Sequence, residues 1–197
     1  MTGVLFAIAA ATLAPATSAD LAQLQVFADC VVTLAPKNVE KVLGEDFRTN
    51  AYRKELQAIA DYRQCLLAGR LRANPVLMAG FMAEAILKKR LTVATVVQSV
   101  AYRTDRPILT ARDEGEVIAL CVARTAPAQI WVLLGTKPGQ TEEAGAVVGL
   151  TAVVGECTKA GVSAKFNRPG LRAILALAMR RLAANNGMLS KPGTTDA

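Results

Sequence analysis

The chain has 197 residues, of which 52% are hydrophobic and 5% aromatic, and 23 Lys and Arg against 16 Asp and Glu give a net charge of +7. No His is present. The composition therefore excludes Ser-His-Asp and Cys-His nucleophilic catalysis and the usual zinc and haem ligand sets, predicts no cofactor, and argues against wholesale disorder.

The first 19 residues are typical of a secretory signal peptide. They carry no charged side chain, and an apolar run from Val4 to Ala14 is followed by Pro15 and by the small residues Thr17-Ser18-Ala19. We expect residues 1–19 to be removed and the mature protein to be periplasmic or secreted. The segment has no basic residue at its start, which a signal peptide usually carries. The alternative to a signal peptide is an Ala-rich first helix of the folded domain.

The cysteines occur as two pairs with nearly equal separations. Cys30 and Cys65 are 35 residues apart, and Cys121 and Cys157 are 36 apart. Each first Cys opens the pattern C-V-x-x-x-A-P, and Ala-Gly follows each second Cys after the same interval. These landmarks recur in one order, which predicts a duplicated unit; two units, fewer than a solenoid needs, favour one pseudo-symmetric globule.

We expect residues 20–90 to form unit 1, residues 91–111 a connector, residues 112–184 unit 2, and residues 185–197 a disordered tail. The connector is left open between an extended and a helical structure, because its valines have helical spacing but are β-branched. The predicted fold class is all-α.

In unit 1, apolar residues three or four positions apart predict four helices, with Thr49 and Asn74 as capping residues and Pro at the start of the second and fourth. The helices are expected over Leu24–Leu34, Pro36–Gly44, Thr49–Leu66 and Asn74–Arg90. Unit 2 repeats this plan over about 113–125, 127–134, 141–158 and 169–184. Its third helix is apolar nearly all round and contains a Gly145-x-x-x-Gly149 pair, so we expect it at the buried centre.

Four Cys allow three pairings, and an ancestral unit that folded alone had to pair its own two. We therefore expect Cys30–Cys65 and Cys121–Cys157, each linking the first helix of a unit to the end of its third. Redox or metal chemistry is the alternative, but no C-x-x-C motif is present.

The acidic residues offer weak candidates for catalysis. Five of the candidates lie at the starts of predicted helices, where a negative charge interacts favourably with the helix dipole: Asp113, Glu114, Glu116, Glu142 and Glu143. Glu84 and Glu156 lie inside predicted helices, where a partly buried carboxylate can serve as a general acid. The repeat places Leu177 opposite Glu84 and Gln64 opposite Glu156, so neither acid is shared by the units.

Basic residues gather at matching helix ends, Lys88-Lys89-Arg90 in unit 1 and Arg180-Arg181 in unit 2. They either complement the helix C-terminus or contact an anionic surface. The small number of aromatic residues and the lack of a glycine-rich motif argue against nucleic-acid binding. Trp131 is either a core anchor or a partner contact.

The C-V-x-x-x-A-P stretch, the second Cys about 35 residues later and the small-residue helix M-A-G-F-M-A-E-A-I-L resemble a group of uncharacterised small exported proteins of sphingomonad-type alphaproteobacteria, over residues 24–184. The resemblance implies export and a repeat, but no activity and no functional residue. We expect a non-enzymatic envelope module that binds a protein or supports structure; the alternatives are a carboxylate-dependent hydrolase of envelope polymers and a binder of anionic membrane or polysaccharide surfaces.

Overall fold

The computed structural model describes residues 17–67, 73–158 and 166–189, and these residues form nine α-helices, a short 3-10 helix and no strand. The all-α class is therefore confirmed. The helices are α1 (Ser18–Leu34), α2 (Pro36–Gly44), α3 (Asn50–Ala60), α4 (Pro75–Arg90), α5 (Val93–Val100), α6 (Glu114–Thr125), α7 (Pro127–Gly135), α8 (Thr141–Cys157) and α9 (Arg168–Asn185).

Local capping explains where several helices begin. The Thr49 side chain accepts from the backbone N–H of Tyr52 at the start of α3, and Asn74 accepts from Val76 at the start of α4. Asn167 serves α9 in the same way. These side chains satisfy N–H groups that a helix leaves without a partner, so the two predicted caps are confirmed.

Helices α4 and α9 form the centre of the core. Among the described residues they share the most extensive helix–helix contact, α1 packs on α4, and α6 packs on α9. The approach is closest at Gly80, where an added Cβ would lie 2.4 Å from the Cα of Ala173. Small residues at this crossing let the two backbones meet, and the larger apolar side chains of both helices pack around it.

The prediction that residues 141–158 form the buried centre is wrong. Only Glu143, Leu150 and Cys157 are buried in α8, and Val148 is 72% exposed. Hydrophobic residues around a whole helix are typical of burial, but most of those on α8 are small. The central place is taken by α4 and α9, which contribute larger side chains.

Two other expectations need correction, and one open question is answered. Leu66 is not part of α3, because that helix ends at Ala60 and a 3-10 turn, Arg63–Cys65, follows. The connector, which the sequence left open between an extended and a helical structure, contains the helix α5. The expected tail is ordered at its start, since Asn186 is buried and donates to the carbonyl oxygens of Ser99 and Ala101. Residues 190–197 lie outside the described residues.

Most of the predicted signal peptide, residues 1–16, also lies outside the described residues. The structure begins with Thr17, whose side chain caps α1 by accepting from the N–H of Asp20, while the Asp20 carboxylate accepts from Thr17. The expected cleavage after Ala19 would therefore fall inside the first turn of α1.

Two disulfides join Cys30 to Cys65 and Cys121 to Cys157, as predicted, with Cα–Cα distances of 5.5 and 5.7 Å. They are consistent with an oxidising extracellular or periplasmic environment. Among the residues that the structure describes, no single helix has the length and hydropathy to cross a membrane; α6 and α7 reach them only together, with a bend of 100° between them.

Each disulfide should contribute similarly to stability, because the two closed loops have nearly the same length. On the chain-entropy model, replacing either pair by Ala should lower the free energy of unfolding by about 3–4 kcal/mol. Urea unfolding followed by circular dichroism measures the loss. A variant as stable as the unmodified protein would contradict a structural role for its disulfide.

The close crossing of α4 and α9 predicts opposite effects for two Gly→Ala changes. Gly80→Ala should destabilise the protein by about 1–3 kcal/mol, because the new methyl group meets the backbone of α9. Gly149→Ala should stabilise it by up to about 1 kcal/mol, because an added Cβ there meets no atom within 4 Å and Ala favours helix. Urea unfolding of the two variants measures both changes in the free energy of unfolding. A Gly80→Ala variant as stable as the unmodified protein would contradict the close approach of α4 and α9 at this position.

Candidate functional site

A buried guanidinium lies at the junction of α4, α7, α8 and α9. Arg172, near the start of α9, is 1% exposed. Its Nε and Nη2 donate to the two carboxylate oxygens of Glu84, both at 2.8 Å, and its Nη1 donates to Oε1 of Glu143 at 3.1 Å. This two-bond geometry with a carboxylate is one that Arg can form and Lys cannot.

The same guanidinium closes the C-terminal end of α7. It donates to the carbonyl oxygens of Leu133, Leu134 and Thr136 at 2.9–3.0 Å and to the Thr136 hydroxyl at 3.1 Å. The last carbonyls of a helix have no partner within the helix and carry its negative dipole end. Arg172 therefore satisfies α7 as well as two carboxylates.

The two carboxylates have further donors. Lys88 Nζ lies 2.6 Å from Glu84 Oε1, and the Gln25 side chain donates to the same oxygen at 3.4 Å. Glu143 Oε2 accepts from the N–H of Gly139 at 2.8 Å. We call Arg172, Lys88, Glu84 and Glu143 the arginine cluster. Its two cations balance its two anions, as burial of charge requires.

The structure thus gives the predicted acids different surroundings. Glu84, one candidate general acid, is the buried counterion of Arg172. Glu156, the other, is exposed on α8 and is not part of the arginine cluster. Glu143 lies at the expected helix start but is buried. Asp113 caps α6 by accepting from the N–H of Glu116, as its place at a helix start predicts.

Sequence reasoning missed Arg172. One signal was available: Arg172, the fifth residue of α9, stands among apolar residues close to the positive end of the helix dipole. Such a residue needs an acceptor from elsewhere in the fold. Nothing in the sequence indicates that Glu84 and Glu143, 88 and 29 residues away, supply it.

Several residues of the two predicted basic clusters form hydrogen bonds and ion pairs within the protein. Arg180 is buried and donates to the carbonyl oxygens of Leu43 and Glu40 in the last turns of α2, while its Nε has no partner within the described part of the chain. Burial lowers the pKa of Arg180, which Glu40 opposes. Arg181 lies 2.5 Å from Glu116.

The residues at the end of α4 are partly engaged as well. Arg90 pairs with Glu40 at 3.1 Å and donates to the carbonyl oxygen of Leu189, and Lys89 contacts the Thr33 hydroxyl. Trp131, on α7, is half-buried and packs against the core.

A pocket of about 290 Å³ lies between the α2–α3 loop, α3 and the start of α4 on one side and α6 and α9 on the other. We call it the α3–α9 pocket. Its apolar wall includes Phe47, Tyr52, Val76, Phe166, Ile174 and Leu177. Burial raises the pKa of the Tyr52 phenol, so this side chain stays neutral in the wall.

Charged side chains form one edge of this pocket, at the start of α6. Arg181 pairs with Glu116, and Glu116 also accepts from the backbone N–H of Arg112 at 2.7 Å. The Arg112 guanidinium lies 5.8 Å from the ring centre of Phe47, within cation–π range. Glu45 and Asp113 complete the edge, so both signs of charge are present.

Within residues 17–67, 73–158 and 166–189, no three acidic or Cys side chains are grouped in a way that holds a metal ion. No protein-family model, curated protein or solved structure matches this chain.

Replacing Arg172 should be far more costly than replacing Arg180 on the same helix. Arg172→Met leaves two buried carboxylates without their main donor, and we expect a loss of about 3–5 kcal/mol. Arg180→Met removes hydrogen bonds to carbonyl oxygens alone and should cost about 1–2 kcal/mol. Urea unfolding avoids screening the ion pairs with salt. Equal losses in the two variants would contradict the special role of the arginine cluster.

Proposed function

We propose that the protein is a non-enzymatic binding module of an oxidising envelope compartment and that its ligand occupies the α3–α9 pocket. The observation that carries this proposal is an apolar pocket in a scaffold where the charged groups of the arginine cluster already bind one another. Specific binding sites are commonly concave, mostly apolar and edged by a few polar groups. The disulfides and the arginine cluster hold the surrounding helices in place.

The position of Glu84 supports a binding role over hydrolysis. A general acid needs contact with substrate and a proton to donate. Glu84 is 2% exposed, and its carboxylate oxygens accept from Arg172, Lys88 and Gln25, so the protein's own donors occupy the positions that a substrate would need. The hydrolase alternative would then rest on Glu156, which is exposed on α8.

The size of the α3–α9 pocket indicates a small ligand. At about 30 Å³ for each group of the size of a water molecule, 290 Å³ holds roughly ten non-hydrogen atoms. The walls favour an aliphatic chain or a single ring. Charges of both signs at the edge give no strong preference for a charged head, so we propose a neutral apolar molecule.

We also propose that the chain arose by duplication of a unit with two cysteines. Ala35 and Ala126, which precede α2 and α7, have nearly the same backbone angles: φ −133°, ψ 54° and φ −132°, ψ 48°. The Cys residues that start each disulfide lie on α1 and α6. Gly80 and Ala173, which meet where α4 crosses α9, are equivalent positions in the alignment of the two units.

Export of the chain by residues 1–19 belongs to the same proposal. It is supported by the apolar run of that segment and by the two disulfides, which persist in oxidising compartments. N-terminal sequencing of protein from envelope fractions would locate the cleavage, and an intact Met1 on cytosolic protein would contradict export.

Ligand binding should be visible as thermal stabilisation. At about ten times its dissociation constant, octanol should raise the unfolding temperature by about 3–5 °C, whereas butanol at the same concentration should do so less. Octanoate and octylamine, whose head groups carry opposite charges, test whether the charged edge of the pocket prefers one sign of charge. Leu177→Trp, which fills the pocket, should abolish the shift. Val132→Trp, at a 63% exposed position on α7, is the matched control and should retain it.

Equal shifts in Leu177→Trp and Val132→Trp would contradict the α3–α9 pocket as the binding site. The non-enzymatic part of the proposal has a separate test. Turnover of peptidoglycan by the purified protein that is lost in Glu156→Gln, with folding intact, would establish the hydrolase instead.

A further inference from the structure

A second surface, distant in sequence from the pocket residues of α3 and α9, exposes large apolar side chains. Val93 and Val97 lie one turn apart on α5 and are 74% and 50% exposed. Tyr102 and Ile108, in the loop that follows, are 63% and 75% exposed. The inward side of α5 carries the buried Val96 and Val100, which pack in the core. The exposed apolar residues are therefore not the ones that attach α5 to the core.

This loop is held in place, although its side chains face solvent. Asn186 donates to the carbonyl oxygens of Ser99 and Ala101 at 3.0 and 2.9 Å. Asn185 donates to Pro107 at 3.1 Å, and Arg181 donates to Thr110 at 3.0 Å. The backbone around Tyr102 and Ile108 is therefore anchored to the end of α9, which presents these side chains in a fixed arrangement.

Positive charge flanks the apolar stretch on both sides. Residues 91–102 carry no charge, Lys88, Lys89 and Arg90 precede them, and Arg103 and Arg106 follow, with Asp105 as the single acid over 88–106. Ion pairs neutralise part of this charge, since Lys88 pairs with Glu84, Arg90 with Glu40 and Arg103 with Asp105. Arg106 also lies near Asp105, with 3.9 Å between its Nε and the carboxylate, so Arg103 and Arg106 share one acid. One positive charge remains in excess at that end, and Lys89 supplies the charge at the other.

We propose that Val93, Val97, Tyr102 and Ile108, with Lys89 and Arg106, form a docking surface for an anionic phospholipid bilayer; we call it the α5 surface. Apolar side chains with cations on either side fit the boundary between headgroups and acyl chains, where Tyr is also favoured. Lys and Arg near such a surface are attracted by its negative potential. A protein partner would instead have to present acids at two places around an apolar patch.

Binding through so small a surface is weak, reversible and sensitive to salt, because each cation contributes little and is screened. The inference does not depend on the α3–α9 pocket. It gives the protein a place at a membrane surface, whereas the pocket gives it a ligand.

Position-specific fluorescence tests the α5 surface on the full chain with its disulfides intact. Val97→Trp and Val148→Trp each add one Trp at an exposed position of a helix, α5 or α8, on the same background of Trp131. Vesicles of phosphatidylcholine with 30% phosphatidylglycerol should shift the emission of Val97→Trp to shorter wavelength and leave Val148→Trp unchanged. Pure phosphatidylcholine should shift neither.

Co-sedimentation with the same vesicles measures affinity. The Val93→Ser/Val97→Ser and Lys89→Gln/Arg106→Gln variants should each bind about tenfold more weakly than the unmodified protein, and Val148→Ser should bind equally well. The apolar run of residues 4–14 also favours lipid, but every variant carries it, so it cancels in the comparison.

Equal emission shifts at positions 97 and 148, or unchanged affinity in both double variants, would overturn the proposal. So would retention of an acidic protein that depends on Val97 when vesicles give no shift, because the surface would then serve a protein partner. Loss of vesicle binding with an intact octanol response would leave the pocket proposal standing, so the two failures are distinguishable.

Discussion

The guanidinium of Arg172 is the interaction on which the arrangement of helices depends. It joins α9 to α4 through Glu84, to α8 through Glu143 and to the end of α7 through three carbonyl oxygens. A buried charge with every donor used is stable only while all its acceptors stay in place. The cluster therefore specifies how four helices meet, in addition to what it contributes to stability.

Helix α9 extends this role along its length. Arg172 closes the end of α7, and eight residues further on Arg180 donates to the end of α2, so one helix satisfies the C-terminal carbonyls of two others. Its last residue, Asn185, and the following Asn186 anchor the end of α5 and the loop after it. The α3–α9 pocket and the α5 surface are both built against this helix, which makes their geometry dependent on the same core.

The proposed pocket and the proposed membrane surface differ in their electrostatics. The pocket edge contains both signs of charge, and Glu116 is occupied by Arg181. The α5 surface keeps positive charge at both ends, from Lys89 and from the excess of Arg103 and Arg106 over Asp105. A neutral ligand and an anionic bilayer are the occupants that we propose for these two charge distributions.

The sequence alone predicted the all-α class, most helix boundaries and both disulfides. These features depend on what the sequence itself records: apolar spacing, capping residues such as Thr49 and Asn74, and two pairs of Cys with nearly equal separations. Only the tertiary structure decided which helix lies at the centre, that Glu84 is the counterion of Arg172, and where the pocket forms. Each of these depends on side chains from distant parts of the chain. Helices α4 and α9 lie at the centre in place of α8 because Gly80 lets α4 approach α9 closely. No local pattern records that Glu84 and Arg172, 88 residues apart, meet in the fold.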